Sequence, residues 1–505
     1  MAKLKHLPVC SLLAVLFLAL SSFSFSADTN SSASAGPLHG IEFPPYNTAV
    51  ADAGCDGRLV AEEEELARRT PSLKLHMTHR SADTAGRGSF FLDSAKKDAV
   101  RIATMHGGRA AKNRKRSRPR RALSERVVAT VESGVAVGSG EYLVDVYVGT
   151  PPRRFRMIMD TGSDLNWLQC APCLDCFDQS GPVFDPAASA SYRNVTCGDA
   201  RCGLVSPPPE SPAAPPGRTC RKPRSDPCPY YYWYGDQSNT TGDLALEAFT
   251  VNLTGAAGTR RVDGVAFGCG HRNRGLFHGA AGLLGLGRGP LSFASQLRGV
   301  YGGHAFSYCL VDHGSAAGSK IVFGHDDALL AHPRLNYTAF APATDTGDTF
   351  YYVQLKSVLV GGEAVNIPSG TLAGGGTIID SGTTLSYFPE PAYRAIRQAF
   401  IDRMSPSYPL IAGFPVLSPC YNVSGAEKIE VPELSLVFAD GAAWEFPAEN
   451  YFIRLEPEGI MCMAILGTPR SGMSIIGNYQ QQNFHVLYDL QHNRLGFAPR
   501  RCAEV

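Results

Sequence analysis

The chain has 505 residues, with 47 Lys and Arg against 46 Asp and Glu, and a formal net charge of +1. That length exceeds a single domain of roughly 100–200 residues, and near-neutrality gives no reason to seek nucleic acid. The 52 Gly and 35 Pro favour a turn-rich, β-rich fold over helical bundles or coiled coils.

Residues 1–26 read as a signal peptide. Lys3 and Lys5 precede an apolar run from Val9 to Leu20, and Ser24, Ser26 and Ala27 offer small residues for cleavage. The run is shorter than the ~20 residues a spanning helix needs. The C-terminal stretch from Phe497 to Val505 lacks the hydrophobic tail removed during lipid-anchor attachment. The expectation is a secreted protein without a membrane anchor, its alternative destination being a vacuole or another organelle.

Residues 27–126 carry Glu62–Glu65 and then a basic block, Lys112–Arg121, with seven cations in ten positions. Like charges at that density do not fold alone. A solvated linker, a nucleic-acid patch and a removable pro-segment all fit the composition; the upstream signal argues against the second. The stretch holds 18 cations and 12 anions, whereas Val127–Val505 holds 27 cations and 34 anions. Neutrality is therefore a basic segment beside an acidic body. Opposite charge favours docking of one on the other at neutral pH, and protonation of carboxylates in acid weakens it, which suggests pH-triggered activation.

After Gly138-Ser-Gly140 the pattern is one of short strands. Glu141–Val148 mixes β-branched and aromatic residues and stops at Gly149-Thr-Pro-Pro152; Phe155–Met159 follows. Helical spacing is confined to Pro391–Met404 and a short stretch after Gly289-Pro290, through Phe293 and Leu297. The fold class is all-β with minor helices.

Two segments resemble each other: Met157-Ile-Met-Asp160-Thr-Gly162-Ser163 and Thr377-Ile-Ile-Asp380-Ser-Gly382-Thr383. Each is followed by a second element, Gly282-Leu-Leu-Gly285-Leu-Gly and Ser474-Ile-Ile-Gly477-Asn respectively. A lone Asp-Thr-Gly is an ordinary turn; two copies, each led by an apolar strand, suggest two halves about a pseudo-twofold axis. Aspartates that only cap turns in a duplicated domain are the bland alternative. If Asp160 and Asp380 meet at the axis, two carboxylates ~3 Å apart hold one proton between them. The ionised member draws a proton from water, and the protonated member hydrogen-bonds a carbonyl and later supplies a proton to the leaving amine. Gly162 and Gly382 allow a tight turn, and Ser163 and Thr383 can donate to the outer oxygens. No metal or organic cofactor is needed.

With these motifs the sequence resembles the pepsin-like aspartic proteases, specifically the nepenthesin-type branch of plants, from about Gly140 to Cys502. Tyr234-Gly-Asp-Gln-Ser238 looks like the family's flap, and Trp167 lies where the family places a Trp that hydrogen-bonds the flap tyrosine. Gly285–Ser292 and Ile475–Phe484 are similar to branch-specific stretches. The resemblance implies a bilobal fold, with residues 139–334 as an N-terminal lobe carrying a cysteine-rich insertion and the flap, and 335–505 as a C-terminal lobe. It also implies a monomeric acid endopeptidase made as a zymogen, with its own pro-segment as inhibitor and an extended polypeptide as substrate. Ile158 and Leu283 lie where the family lines the cleft beside the scissile bond, as do Leu276 and Phe277; for each, plain core packing is the alternative. The family's flap usually has Gly at the place of Gln237, so Gln237→Gly is expected to raise turnover or broaden specificity.

Twelve cysteines follow the basic block. Cys170-Ala-Pro-Cys173-Leu-Asp-Cys176 allows a zinc knuckle, a redox pair or disulfides; secretion favours disulfides. Spacing does not give connectivity. Resemblance implies Cys170–Cys173, Cys176–Cys269, Cys197–Cys228, Cys202–Cys220, Cys309–Cys502 and Cys420–Cys462. Glycosylation sequons stand at Asn194, Asn239, Asn252, Asn336 and Asn422. The histidines, among them His271, His278 and His304, show no ligand spacing. A catalytically silent binding or inhibitor protein of the same fold is the competing reading; such relatives usually lose an aspartate or the flap tyrosine, and this chain keeps all three.

Overall fold

The computed structural model describes Ser94, Ala95, Lys97, Asp98, Arg126–Ser133 and residues 140–505 apart from 209–219, 235–237, 255–257, 276, 278, 302–303, 325, 343–348, 415, 456–457 and 469–471. The signal sequence, the basic block, Gln237, Leu276 and His278 lie outside the described residues.

Strands dominate. Among the described residues, a fourteen-stranded sheet holds the strands of the first lobe and three from the second, Asn336–Ala339, Phe484–Asp489 and Arg494–Pro499; sheets of five, four and four strands build the rest. The strand Ala305–Cys309 joins the lobes: it pairs on one side with Ser319–Phe323 and on the other with Phe484–Asp489. The result is the expected two-lobed, all-β architecture.

Alternation within strands sorts residues between cores. In the hairpin of Asn239–Thr254 and Thr259–Arg274, Leu244 and Leu246 enter one cluster while Ala245, Phe249 and Val251 enter another. That period of two is why the strand is buried on both faces. Helical spacing works equally plainly in Glu390–Met404, where Ala392, Ile396, Phe400 and Met404 form the buried stripe. The short helix Phe293–Leu297 is capped by Ser292, whose hydroxyl accepts from the Ser295 amide at 3.2 Å.

One strand precedes the expected start of the first lobe. Arg126–Ser133 pairs antiparallel with Ser319–Phe323, with Tyr142–Val148 and with the end of Asn239–Thr254. Its pattern, Arg-Val-Val-Ala-Thr-Val-Glu-Ser, is a good strand sequence overshadowed by the charge run before it.

The disulfides correct four of the six expected pairings. The bonds are Cys170–Cys269, Cys173–Cys176, Cys197–Cys220 and Cys202–Cys228, in place of Cys170–Cys173, Cys176–Cys269, Cys197–Cys228 and Cys202–Cys220. Strand register decides the first. Trp167–Gln169 runs parallel to Thr259–Arg274 with Leu168 opposite Cys269, and the Cys170 amide donates to the Gly270 carbonyl at 2.9 Å. Cys170 is therefore held beside Cys269, leaving Cys173 and Cys176 to close the tight loop. In the insertion, the Cys197, Cys202 and Cys220 sulfurs lie within 4.8 Å of one another, so Cys220 is close to Cys202 as well as to its partner Cys197. Cys202 sits on a helical turn packed against buried Cys228, which selects that partner. Cys309–Cys502 and Cys420–Cys462 are as expected, the latter between directly opposed strand residues.

Candidate active site

Each aspartate motif ends an apolar strand threaded through a buried sheet. Arg153–Asp160 runs parallel to Gly282–Gly285, pairing Met157 with Gly282 and Asp160 with Gly285. Thr377–Ile379 runs parallel to Ser474–Ile476 in the same manner, Thr377 opposite Ser474. The strand after each motif then crosses antiparallel to that second element: Trp167 opposite Leu283, and Tyr387 opposite Ile475. The sequence repeat is thus a repeat of pairing. Glycine closes both crossings: a Cβ on Gly285 would sit 2.5 Å from Asp164 backbone atoms, and one on Gly477 only 2.2 Å from the Leu385 carbonyl oxygen.

The two carboxyls have matching surroundings. Asp160 Oδ1 accepts from the Gly162 amide at 2.9 Å and Oδ2 from the Ser163 hydroxyl at 2.6 Å. Asp380 Oδ1 accepts from the Gly382 amide at 2.9 Å and Oδ2 from the Thr383 hydroxyl at 2.6 Å. Both side chains are fully buried. Hydroxyl and amide donors at these distances fix which way each oxygen points.

The loops are also tied directly to each other. The Thr161 amide donates to Ser381 Oγ at 3.0 Å, and the Ser381 amide donates to Thr161 Oγ1 at 2.9 Å. Each hydroxyl then donates across the axis, Thr161 to the Ile379 carbonyl and Ser381 to the Met159 carbonyl. These four bonds hold the aspartates in register without using either carboxyl. Sequence reasoning assigned no role to Thr161 and Ser381; their matching second position in both motif copies was the available signal. It also passed over Asp164, whose carboxylate accepts from the Gly289 amide at 2.8 Å and the Thr349 hydroxyl at 2.7 Å, joining the lobes. Asn478 was missed as well: its side-chain amide donates to the Gly140 and Ser381 carbonyls.

The remaining expected residues gather beside Asp160. Trp167 Nε1 donates to the Tyr234 hydroxyl at 2.7 Å, and Tyr234 packs with Leu143, Ile158, Phe277 and Leu283 in one buried cluster. Ile158 and Leu283 are 2% exposed, so each contributes to packing at this side of the site. Burial, with the neighbouring Tyr232 and Asp160 adding to it, raises the Tyr234 phenol well above its ordinary range, so it stays a neutral hydrogen-bonding group. His271 lies 3.8 Å from the Asp243 carboxylate, away from this cluster. Asn194, Asn336 and Asn422 are exposed; Asn239 and Asn252 are half-buried.

Family models described as "Xylanase inhibitor N-terminal" and "Xylanase inhibitor C-terminal" match residues 142–325 and 350–499. Protein ASPARTIC PROTEASE IN GUARD CELL 2 of Arabidopsis thaliana is 40% identical over 385 residues, covering 74% of this chain and 75% of that protein. The chain belongs to the pepsin-like aspartic proteases. Within that family it is similar to the nepenthesin-type plant branch: aspartic proteinase nepenthesin-2 of Nepenthes gracilis is 39% identical, over 74% of this chain and 80% of that one. Among solved structures, basic 7S globulin from soybean superposes with a TM-score of 0.60 at 20% identity, covering 76% of this chain and 99% of its own, a likeness of fold. In this pepsin-like protein the aspartate loops therefore sit where two similar lobes meet.

Proposed function

We propose that the protein is an aspartic endopeptidase that hydrolyses peptide bonds at acidic pH through water activated by Asp160 and Asp380, and that it is made as a zymogen on the secretory pathway. The observation that carries this reading is the mirrored anchoring of the two carboxyls by Gly162 and Ser163 and by Gly382 and Thr383. One carboxylate takes the proton of the attacking water while the other, protonated, hydrogen-bonds the scissile carbonyl and then protonates the amine. The hydroxyl donors keep both groups aimed throughout. Tyr234, fixed by Trp167, would close over an extended peptide bound by backbone hydrogen bonds. Six disulfides and exposed sequons at Asn194, Asn336 and Asn422 support the oxidising compartment.

A silent binding protein of this fold is the second reading, and retention of Asp160, Asp380 and Tyr234 disfavours it. Calorimetric titration with a statine-type transition-state analogue at pH 4 tests the choice. Binding that disappears in Asp380→Asn supports the peptidase; no binding by the processed protein overturns it.

A further inference from the structure

The flap hairpin has two faces, and the aspartate chemistry uses one of them. Pro229–Trp233 pairs antiparallel with Asn239–Thr254, setting Tyr231 opposite Thr241, Tyr232 opposite Thr240 and Trp233 opposite Asn239. Side chains alternate across such a ribbon, and directly opposed residues share a face. Tyr230, Tyr234, Ser238 and Thr240 are buried on the inner face, where Tyr234 feels the Asp160 charge. Tyr231, Trp233, Asn239 and Thr241 therefore stand together on the outer face, and Trp233 there is 41% exposed. The next strand, Thr259–Arg274, extends both rows, with exposed Arg272 opposite Thr241 and exposed Arg274 opposite Asn239. The Tyr231 amide donates to the Ser206 carbonyl at 2.8 Å, which braces that row; Trp233 and Asn239 form the next row toward the tip. The Tyr234 amide donates to the Ser238 carbonyl at 2.8 Å. Alternation then makes Trp233 and Asn239 a non-hydrogen-bonded pair, the kind whose Cα atoms stand ~4.5 Å apart with side chains close.

Asn239-Thr240-Thr241 is a glycosylation sequon. We propose that Asn239 carries an N-linked glycan whose first N-acetylglucosamine lies against the Trp233 indole, on the outer face of the flap. This deepens the secretory reading and rests on it. The donor is a lipid-pyrophosphate-linked oligosaccharide, supplied with its transferase in the secretory pathway. Asn239 Nδ2 forms a bond to C1 of the first sugar as the bond from C1 to the pyrophosphate oxygen breaks. The amide gives up one proton, and the lipid pyrophosphate leaves with the bonding pair. A pyranose ring presents C–H groups on its faces, and an exposed indole offers the flat, electron-rich apolar surface that matches them. Register decides the seat. A sugar linked to Asn239 starts beside the directly opposed ring and on the same face, so contact needs no change in the hairpin backbone. On the other side of Asn239, the Arg274 guanidinium is held by the Asp175 carboxylate at 2.5 Å, which leaves the Trp233 side as the apolar one. Tyr234, one residue on, faces inward. The glycan thus shields the flap from outside without entering the cleft.

The test uses the full chain carrying Asp160→Asn, to prevent self-digestion, expressed in plant cells with a mannosidase inhibitor so that an endoglycosidase can trim every glycan to its first sugar. Glycopeptide mass spectrometry should find Asn239 occupied in most molecules. Of the three tryptophans, Trp167 and Trp444 are fully buried, so acrylamide quenching of indole fluorescence reports on Trp233. With one ring face covered, the quenching constant of the trimmed protein should be about half that of Thr241→Ala or Asn239→Gln, each of which removes the sequon. Complete enzymatic removal of the glycan from the folded protein gives the same comparison without a substitution. Trp233→Phe should abolish the difference between sugar-bearing and sugarless forms. Equal quenching in the trimmed and sugarless proteins overturns the proposal. Glycans at Asn194, Asn336 or Asn422 with Asn239 bare overturn it too, and leave the secretory reading standing. A chain with no glycan at any sequon overturns both.

Discussion

Replacing Tyr234 by Phe removes one oxygen and little else. The ring contacts with Tyr232 and Phe277, at centroid distances of 5.0 and 6.1 Å, survive the change. What is lost is the acceptor for Trp167 Nε1 at 2.7 Å. Trp167 is fully buried, so its N–H cannot turn to water. Leaving a buried donor unsatisfied costs about 1–3 kcal/mol. If that energy holds the flap base in its working position, kcat/KM for a peptide substrate falls about 5- to 140-fold, at ~1.4 kcal/mol per factor of ten. Trp167→Phe removes the donor and leaves the tyrosine hydroxyl near its vacated place. The double variant should therefore lose less than the two single losses combined, with a coupling of about 1 kcal/mol. Peptide hydrolysis at pH 4, measured on all four proteins, gives the cycle. Strictly additive losses, or Tyr234→Phe at parental kcat/KM, would refute the reasoning.

The cross-links between the aspartate loops predict that Thr161→Val, which keeps shape but strands the Ser381 amide, destabilises the protein by about 1–3 kcal/mol in urea unfolding and lowers kcat more than it raises KM; parental stability contradicts this. Peptide mapping without reduction should recover Cys170 joined to Cys269 and Cys173 to Cys176; a Cys170–Cys173 fragment would contradict the register argument. His485 is held down at about 4, first by burial and against the pull of Asp326. An unfolded histidine takes its proton below about 6.5, so the stabilising contribution is whole above that pH and is lost as pH falls toward 4, by up to about 3 kcal/mol. Urea unfolding between pH 7 and 4 should show that loss, and His485→Gln should flatten it; equal slopes in both proteins would falsify the assignment.

Much of this site was readable in the chain because it is written twice. Asp-Thr-Gly-Ser and Asp-Ser-Gly-Thr, each with its later glycine-bearing partner, encode the same parallel pairing in two sheets. The β-rich class and the helix at 390–404 follow from turn content and from apolar residues spaced every four positions. Disulfide partners were not readable, because choosing among Cys197, Cys202, Cys220 and Cys228 turns on a helical turn packed against a strand start rather than on spacing. Nor was the seat of Ser94, Ala95, Lys97 and Asp98: a few helical residues in a charged segment have no periodic signal, and their partners Glu141, Thr384 and Tyr387 lie far along the chain. Asp164 and Asn478 were invisible for a related reason, since each acts by joining segments that only the fold brings together.

The central claim is that Asp160 and Asp380 act as one hydrolytic pair. Digestion of a denatured protein between pH 3 and 5 by the processed chain, beside Asp160→Asn and Asp380→Asn, tests it most directly. The account predicts cleavage that is blocked by a statine-type analogue and abolished in either variant. Full cleavage by Asp160→Asn, or none by the parent, would contradict it.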